Sequence, residues 1–388
     1  MKDKEILIIT NYFPPEKGAA SNRLFSLVNG LSENEYNVKV VCPLPNYPKG
    51  KIFDGYKWKL LSKTQESFGT INRLWIWPSN SSNKFLRLLS MLSFSFSLSL
   101  FFIFQKVPQK VLIQYSPVFV GFTSVFWSKI FRKKIILNVS DLWPLAGLEM
   151  GLLSKGFYYS LLSKMESYCY RNAHLILGQS KEILTHIDKK GVSSTLFLYR
   201  NYPDFKPQKS IDKLIDEELK IVYAGLTGIA QGLHKICSSI ILPKHISIHI
   251  YGTGSEAEQL KLLVKENVFY HGEIKREDLH EKIQEFHLGF VPLTNRIYGS
   301  VPSKIFELSR LGIPVLYNAG GEGETIVKDN QLGWVIPVNN IDKLQRFIDS
   351  LTVEKVNMFP RKQIQNNAIN QFDFSAQLHQ LIEMLNSL

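Results

Sequence analysis

The chain has 388 residues, 45% hydrophobic and 21% charged, a globular composition with room for two domains and a core that needs no disulfide or metal staple. Its three cysteines, Cys42, Cys169 and Cys237, lie far apart, which excludes a disulfide framework or a cysteine zinc motif and fits a reducing compartment. The net charge of +12 is uneven: residues 1–203 carry +14 and residues 204–388 carry −2, so the first half expects an anionic partner.

In chain order, Met1–Glu5 runs straight into the apolar stretch Ile6–Ile9, too short for a secretory signal, and none is expected. A strand is expected over Glu5–Thr10. It is followed by the loop Asn11–Ala20 and a helix over Asn22–Leu31 that carries Arg23. Gly18 then sits past the carboxyl end of a strand, ahead of a helix, where open α/β sheets bind ligands and backbone N–H groups can meet phosphate or hydroxyl. Further strands are expected over Asn37–Cys42, Val111–Tyr115, Lys134–Val139 and Leu175–Gly178. Such alternation with helices implies parallel strands joined by right-handed crossovers. Asp141 follows one of these strands and either faces the ligand crevice or caps the next helix.

Leu88–Phe104 is uncharged, flanked by Lys84/Arg87 and Lys106, and approaches the length of a membrane span. Ser90, Ser93, Ser95, Ser97 and Ser99 dilute it. A helix lying on a membrane surface is the expectation, with a core helix and a span as the alternatives.

A turn at Asn201–Asp204 and the polar stretch Phe205–Glu218 read as a linker. The pattern then restarts, with strands expected over Lys220–Ala224, His245–Tyr251, Val268–His271, Leu288–Leu293, Pro314–Tyr317 and Gly333–Ile336. Two doubly wound units with a cleft are implied. Three strand ends in the second unit carry glycines: Gly225, Gly228 and Gly232 around Gln231, then Gly252 and Gly254, then Gly272 before Ile274. Backbone can approach a diphosphate closely at such ends. In Tyr298–Leu316 a loop through Val301, Pro302 and Ser303 enters a helix at Pro302. Lys304 and Glu307 share one face of it. The cation suits phosphate, and the carboxylate can accept two ribose hydroxyl hydrogen bonds; a plain surface Lys–Glu pair is the alternative.

On these residues the chain resembles the retaining glycosyltransferases of family 4, built as two Rossmann-like domains in the GT-B fold, over nearly its whole length. Among them it is most similar to bacterial enzymes of O-antigen and capsule assembly, such as the N-acetyl-fucosaminyl transferases. The motifs are Tyr12-Phe13-Pro14-Pro15-Glu16, Pro45-Asn46-Tyr47-Pro48-Lys49-Gly50-Lys51, Ser140-Asp141-Leu142-Trp143-Pro144 and the run Pro302–Gly312. The resemblance implies a 1–203 acceptor and membrane domain, a 204–364 nucleotide-sugar domain, and a C-terminal helix of about 365–388 packing back on the first. It implies Asp141, Lys304 and Glu307 as catalytic residues. Gly18, Gly225, Gly228, Gln231, Gly252, Gly254, Ile274, Val301, Pro302 and Ser303 would bind the donor, and Asn46, Tyr47 and Arg23 the acceptor. The donor would be a UDP-sugar, the acceptor a polyprenyl-diphosphate-linked saccharide, and the place the inner face of the plasma membrane.

Two departures stand out. The first Glu of the family's E-x7-E falls at Gly299, and the usual Arg and Lys of the first donor loop are replaced by Leu226 or Thr227 and Gln231. Lys304 is therefore the candidate for the diphosphate charge. With no D-x-D and no metal spacing, no metal or cofactor is expected. Nucleic acid is not expected either. A UDP-sugar 2-epimerase of similar fold, or a non-catalytic nucleotide- or lipid-binding homologue, are the alternatives.

Overall fold

Stretches such as Ile6–Ile9 are apolar at every position because both faces of a parallel sheet are covered, and all four of these side chains are fully buried. The computed structural model describes residues 4–16, 18–81, 83–206 and 218–388. Lys17, the Lys84 side chain and most of the expected linker lie outside the described residues. The chain divides into two compact units, Met1–Arg200 with Ser375–Leu388, and Asn201–Phe374.

The first unit holds an eight-stranded sheet. Its strands are β1 (Glu5–Ile9), β2 (Asn37–Pro43), β3 (Leu61–Glu66), β4 (Gly69–Leu74), β5 (Lys110–Gln114), β6 (Lys134–Val139), β7 (Leu175–Gly178) and β8 (Thr195–Leu198). They lie in the order β3-β4-β2-β1-β5-β6-β7-β8. All pairs are parallel except β3 with β4. The order reverses between β1 and β5, and at such a switch point the crevice beyond the strand ends opens.

The second unit holds a six-stranded, all-parallel sheet of β9 (Leu219–Ala224), β10 (Ile246–Tyr251), β11 (Val268–Gly272), β12 (Leu288–Pro292), β13 (Val315–Asn318) and β14 (Gly333–Val335). Its order, β11-β10-β9-β12-β13-β14, switches between β9 and β12. Alternate residues of β9 serve opposite faces: Leu219, Ile221 and Tyr223 join one core cluster and Val222 the other.

Three strands went unread in the sequence. β3 is LSKTQE, mostly exposed, and reaches the sheet only through its antiparallel pairing with β4; β8 is a half-buried edge. The unit boundary falls at 200/201, where 203/204 was expected. Only the last helix, Phe374–Ser387, joins the first unit, not everything from 365. The Arg361–Gln371 helix stays with the second unit because the Gln365 side chain donates to the Arg310 carbonyl at 3.0 Å and Arg361 donates to Gln284 Oε1 at 2.8 Å. The last helix is tied down by Tyr36, whose hydroxyl donates to Asn386 Oδ1 at 2.7 Å.

The long apolar helix runs Lys84–Phe104, with Asn83 accepting from the Phe85 N–H as its cap. It is long and apolar enough to cross a membrane, yet one face belongs to the fold: Phe94, Leu98 and Phe102 are at most 2% exposed. Several of its serines lie on or beside that inner face as stitches. Ser93 Oγ accepts from the Trp77 N–H and Ser97 Oγ donates to the Trp75 carbonyl, both at 2.8 Å. Ser99 Oγ accepts from Trp127 Nε1 at 2.9 Å. The opposite face exposes Phe85, Leu89, Leu92, Phe96, Ile103 and Phe104.

Candidate active site

In the first unit the loops after β1, β2, β5 and β6 surround a cavity of about 460 Å³. Asn11 and Tyr12 follow β1, Asn46 and Tyr47 follow β2, Ser116 and Pro117 follow β5, and Asp141 and Trp143 follow β6. Arg87, Leu88, Ser90 and Met91 of the apolar helix form a further wall. The cavity thus has a polar end of amide, phenol and carboxylate groups and an apolar side.

Three sequence candidates, Asn46, Tyr47 and Asp141, meet here. Tyr47 packs edge-on against Tyr12, ring centroids 5.1 Å apart. Asp141 does not cap the following helix, Leu145–Glu149, whose first flanking residue is Pro144. Its carboxylate is open to the cavity, but the surrounding protein strips enough hydration to raise its pKa, with Arg23 pulling the other way. Arg23 itself does not line the cavity. Its Nη2 donates to Ser140 Oγ at 2.8 Å, and the same oxygen receives Gln114 Nε2 at 2.7 Å and Gln179 Nε2 at 3.0 Å. Burial lowers the guanidinium to about 10 while Asp141 raises it. Arg23 therefore sets the charge beside Asp141, a different place from the direct acceptor contact expected of it. Gly18 is the residue before the Ala19–Glu33 helix, in the same unit.

In the second unit the glycine-bearing ends of β9 and β10 lock together. Gly225 N–H donates to the Tyr251 carbonyl at 2.8 Å, and Thr227 N–H to that of Thr253 at 3.1 Å. Gly252 has φ +137°, and a Cβ there would overlap the Gly225 carbonyl oxygen. A Cβ on Gly225 would in turn overlap the end of the Lys304 side chain. The Lys304 ammonium thus lies against the bare Gly225 backbone, 5.5 Å from the centre of the Tyr223 ring. Burial lowers its pKa and Glu307 raises it. Gln231 turns inward: its Oε1 accepts from the Gly228 N–H at 3.1 Å, so it holds the loop's own shape. Gly254 packs under the Thr227 backbone, and Ile274 is half-buried against the core.

The helix of the Pro302 run begins at Lys304, two residues later than expected, with Ser303 as its cap residue and Val301 and Pro302 in the loop before it. Glu307 carries a partner the sequence did not reveal. His280 Nε2 lies 3.0 Å from Glu307 Oε1, and the Phe205 ring packs on His280 with centroids 4.2 Å apart. No spacing rule links residues 27 apart, so only the fold shows this pair. Leu226 is half-exposed and Thr227 fully buried; neither supplies a cation to this loop. Among the described residues no three His, Cys, Asp or Glu side chains gather as metal ligands would.

The comparisons bear on the fold and on the second unit. Residues 204–371 match the family model of glycosyl transferases group 1, while a search of curated proteins finds no match. Among solved structures, sucrose-phosphate synthase from Thermosynechococcus elongatus superposes with a TM-score of 0.72 at 12% identity, covering 99% of this chain and 98% of that one. HepE of Anabaena in complex with UDP-glucose gives 0.66 at 14% identity, covering 99% and 100%. WaaG, a glycosyltransferase involved in lipopolysaccharide biosynthesis, gives 0.66 at 14%, covering 98% and 99%. At these identities the structures establish the fold, and the family match supplies the chemistry: the second unit carries a glycosyl transferases group 1 domain, and the chain is a glycosyltransferase with the two-unit GT-B architecture.

Proposed function

We propose that the chain transfers a sugar, with retention, from a UDP-sugar to a lipid-linked saccharide at an anionic membrane face, the inner face of the plasma membrane, in the assembly of a bacterial surface polysaccharide. The observation that carries the acceptor half is the Lys84–Phe104 helix, which lines the cavity with one side and exposes Phe85, Phe96 and Phe104 on another. A lipid surface would cover the second while the saccharide enters the first. The +14 charge of residues 1–203 favours an anionic leaflet. The donor half rests on the group 1 domain and on Lys304 lying against Gly225; HepE, of the same fold, was solved with UDP-glucose.

In this reading Lys304 meets the charge that develops on the leaving diphosphate, and Glu307 receives the ribose hydroxyls. Catalysis is positioning plus charge stabilisation, with the acceptor attacking on the leaving-group face. Lys304 supplies the positive charge a metal would otherwise bring, so turnover should survive EDTA. Asp141, beside Asn46 and Tyr47, orients the acceptor hydroxyl. The experiment is a panel of radiolabelled UDP-sugars incubated with bacterial membrane lipids. Label should enter the organic-extractable fraction with one donor and fail to enter it with Asp141→Asn. Label that stays water-soluble with every donor would sink the lipid-linked acceptor, and conversion of a UDP-sugar without acceptor would favour an epimerase.

A further inference from the structure

The Tyr12–Glu16 motif ends in a carboxylate to which the reaction assigns no role. Glu16 is 4% exposed, and a buried carboxylate needs partners. Its Oε1 accepts the Asn46 N–H at 2.7 Å and the Tyr47 N–H at 2.8 Å, from a loop 30 residues further along the chain. Burial raises its pKa, while the Asn46 and Tyr47 N–H groups and, more weakly, Arg73 draw it back. Arg73, itself 4% exposed, braces the same motif from below: its Nη2 donates to the Pro14 carbonyl at 2.8 Å and its Nη1 to Thr64 Oγ1 at 3.1 Å. Asn46 and Tyr47 both line the cavity with Asp141, whereas Glu16 does not.

We infer that Glu16 is a positioning residue: one carboxylate oxygen clasps the Asn46–Tyr47 backbone and so holds one wall of the cavity at the distance an acceptor saccharide requires. Two neighbouring N–H groups converging on one oxygen fix the peptide plane between them as well as its position. The Asn46 amide and the Tyr47 ring inherit that placement. A hydroxyl or an aliphatic side chain at position 16 could not do this, since both bonds need a carbonyl-type acceptor oxygen at the reach of a Glu or Gln side chain. The role is distinct from those of Asp141 and Arg23, which act at the end of β6. Reading the wall as an acceptor wall rests on the function proposed above; the clasp does not.

Two measurements separate these. Hydrogen exchange over overlapping peptides that begin near residue 40 and end by residue 50, read by mass spectrometry, reports the clasp directly. Glu16→Ala should speed exchange at Asn46 and Tyr47 at least about tenfold, with the Leu44 N–H, which donates to the Leu74 carbonyl, unchanged. In the radiolabel assay the same variant should raise the membrane-lipid concentration giving half-maximal rate about tenfold or more, with UDP affinity unchanged. Glu16→Gln keeps an acceptor oxygen at the same place and should recover most of both effects. Unaltered exchange in Glu16→Ala overturns the clasp. A loss of UDP affinity parallel to the loss in acceptor overturns the positioning role in favour of general destabilisation. If the wild type transfers no label to lipid, the acceptor reading falls, and the exchange result still decides whether Glu16 holds the loop.

Discussion

The two units repeat one plan and finish it by opposite means. Each is a parallel sheet with a switch point, between β1 and β5 in one and between β9 and β12 in the other. In the second unit the candidate site is made of backbone: glycines whose missing Cβ atoms let β9, β10 and Lys304 come within contact. In the first it is made of side chains that reach across loops: Glu16 to residues 46 and 47, Arg73 to Pro14, Arg23 to Ser140. A backbone site leaves little to vary and suits a shared group such as a nucleotide diphosphate. A side-chain site can be rebuilt residue by residue and suits a partner that differs from one enzyme to the next.

Substitutions can break this contrast. The largest effect belongs to the apolar helix, where the two faces should behave as different materials. Phe94→Ser opens a fully buried position and should cost about 4 kcal/mol in urea unfolding. Phe96→Ser, 61% exposed, should change stability by less than about 0.5 kcal/mol. Next comes Gly252→Ala, which forces a Cβ onto the Gly225 carbonyl and strains a φ of +137°; about 3 kcal/mol should be lost, together with UDP binding. A milder result would mean that the β9 and β10 loops are looser than a backbone-built site allows. Glu307→Ala should then weaken UDP binding by about 1.5–3 kcal/mol in calorimetry with the fold intact. His280→Ala should have a smaller effect of the same sign.

On the lipid side, wild type should sediment with anionic vesicles at low salt and be released only in part by high salt, because the apolar contribution is not screened. Serine at Phe85, Phe96 and Phe104 together should shrink the salt-resistant fraction and leave UDP affinity alone. The smallest effect concerns Asp141. Its folded pKa is raised above the reference value of 3.8, so the fold prefers the neutral acid. That preference stabilises at acid pH and is lost as pH rises through the folded value. Asp141→Asn should therefore raise the Tm slightly at neutral pH, with the gain fading as pH falls towards 4, while transfer is lost. A fall in Tm at neutral pH would show that the Arg23 attraction outweighs burial.

The contrast also explains what could be read in the chain. Glycines after apolar runs are visible in a string of letters, so the Gly225–Gly232 and Gly252–Gly254 loops and the Lys304–Glu307 helix stood out. So did eleven strands, most of them because a parallel strand buried on both faces is a continuous apolar run, although the edge strands β11 and β14 are only partly buried. β3 escaped because its residues are polar and its partner, not its composition, makes it a strand. Gln231 has a bond the sequence does not reveal, its Oε1 accepting from the Gly228 N–H of its own loop, since sequence places a residue on a loop but does not say which way the amide turns. Arg23, Glu16 and His280 share a common reason: each works through a partner 27 or more residues away, and no local spacing encodes such a pairing. The apolar helix was half legible. Its serines suggested a helix that does not span, but only the fold shows that several of them are hydrogen-bonded stitches to the segment after β4 and to the Val118–Ile130 helix.

Those stitches bear on the order in which the protein comes together during synthesis. As Lys84–Phe104 leaves the ribosome it is apolar nearly all round, and β5 and β6 do not yet exist. Trp75 and Trp77, however, precede it in the chain, so the carbonyl and N–H that receive Ser97 and Ser93 are already made. The helix can bond to the segment just after β4 as soon as it forms, with Trp127 closing the third stitch later. Growth from the N-terminus thus lets two of the stitches form before the Val118–Ile130 helix, which supplies most of the inner-face packing, has been made. A circular permutant that begins at residue 79 and supplies Trp75 and Trp77 last would remove that head start and send more of the chain to the insertion machinery or to aggregates.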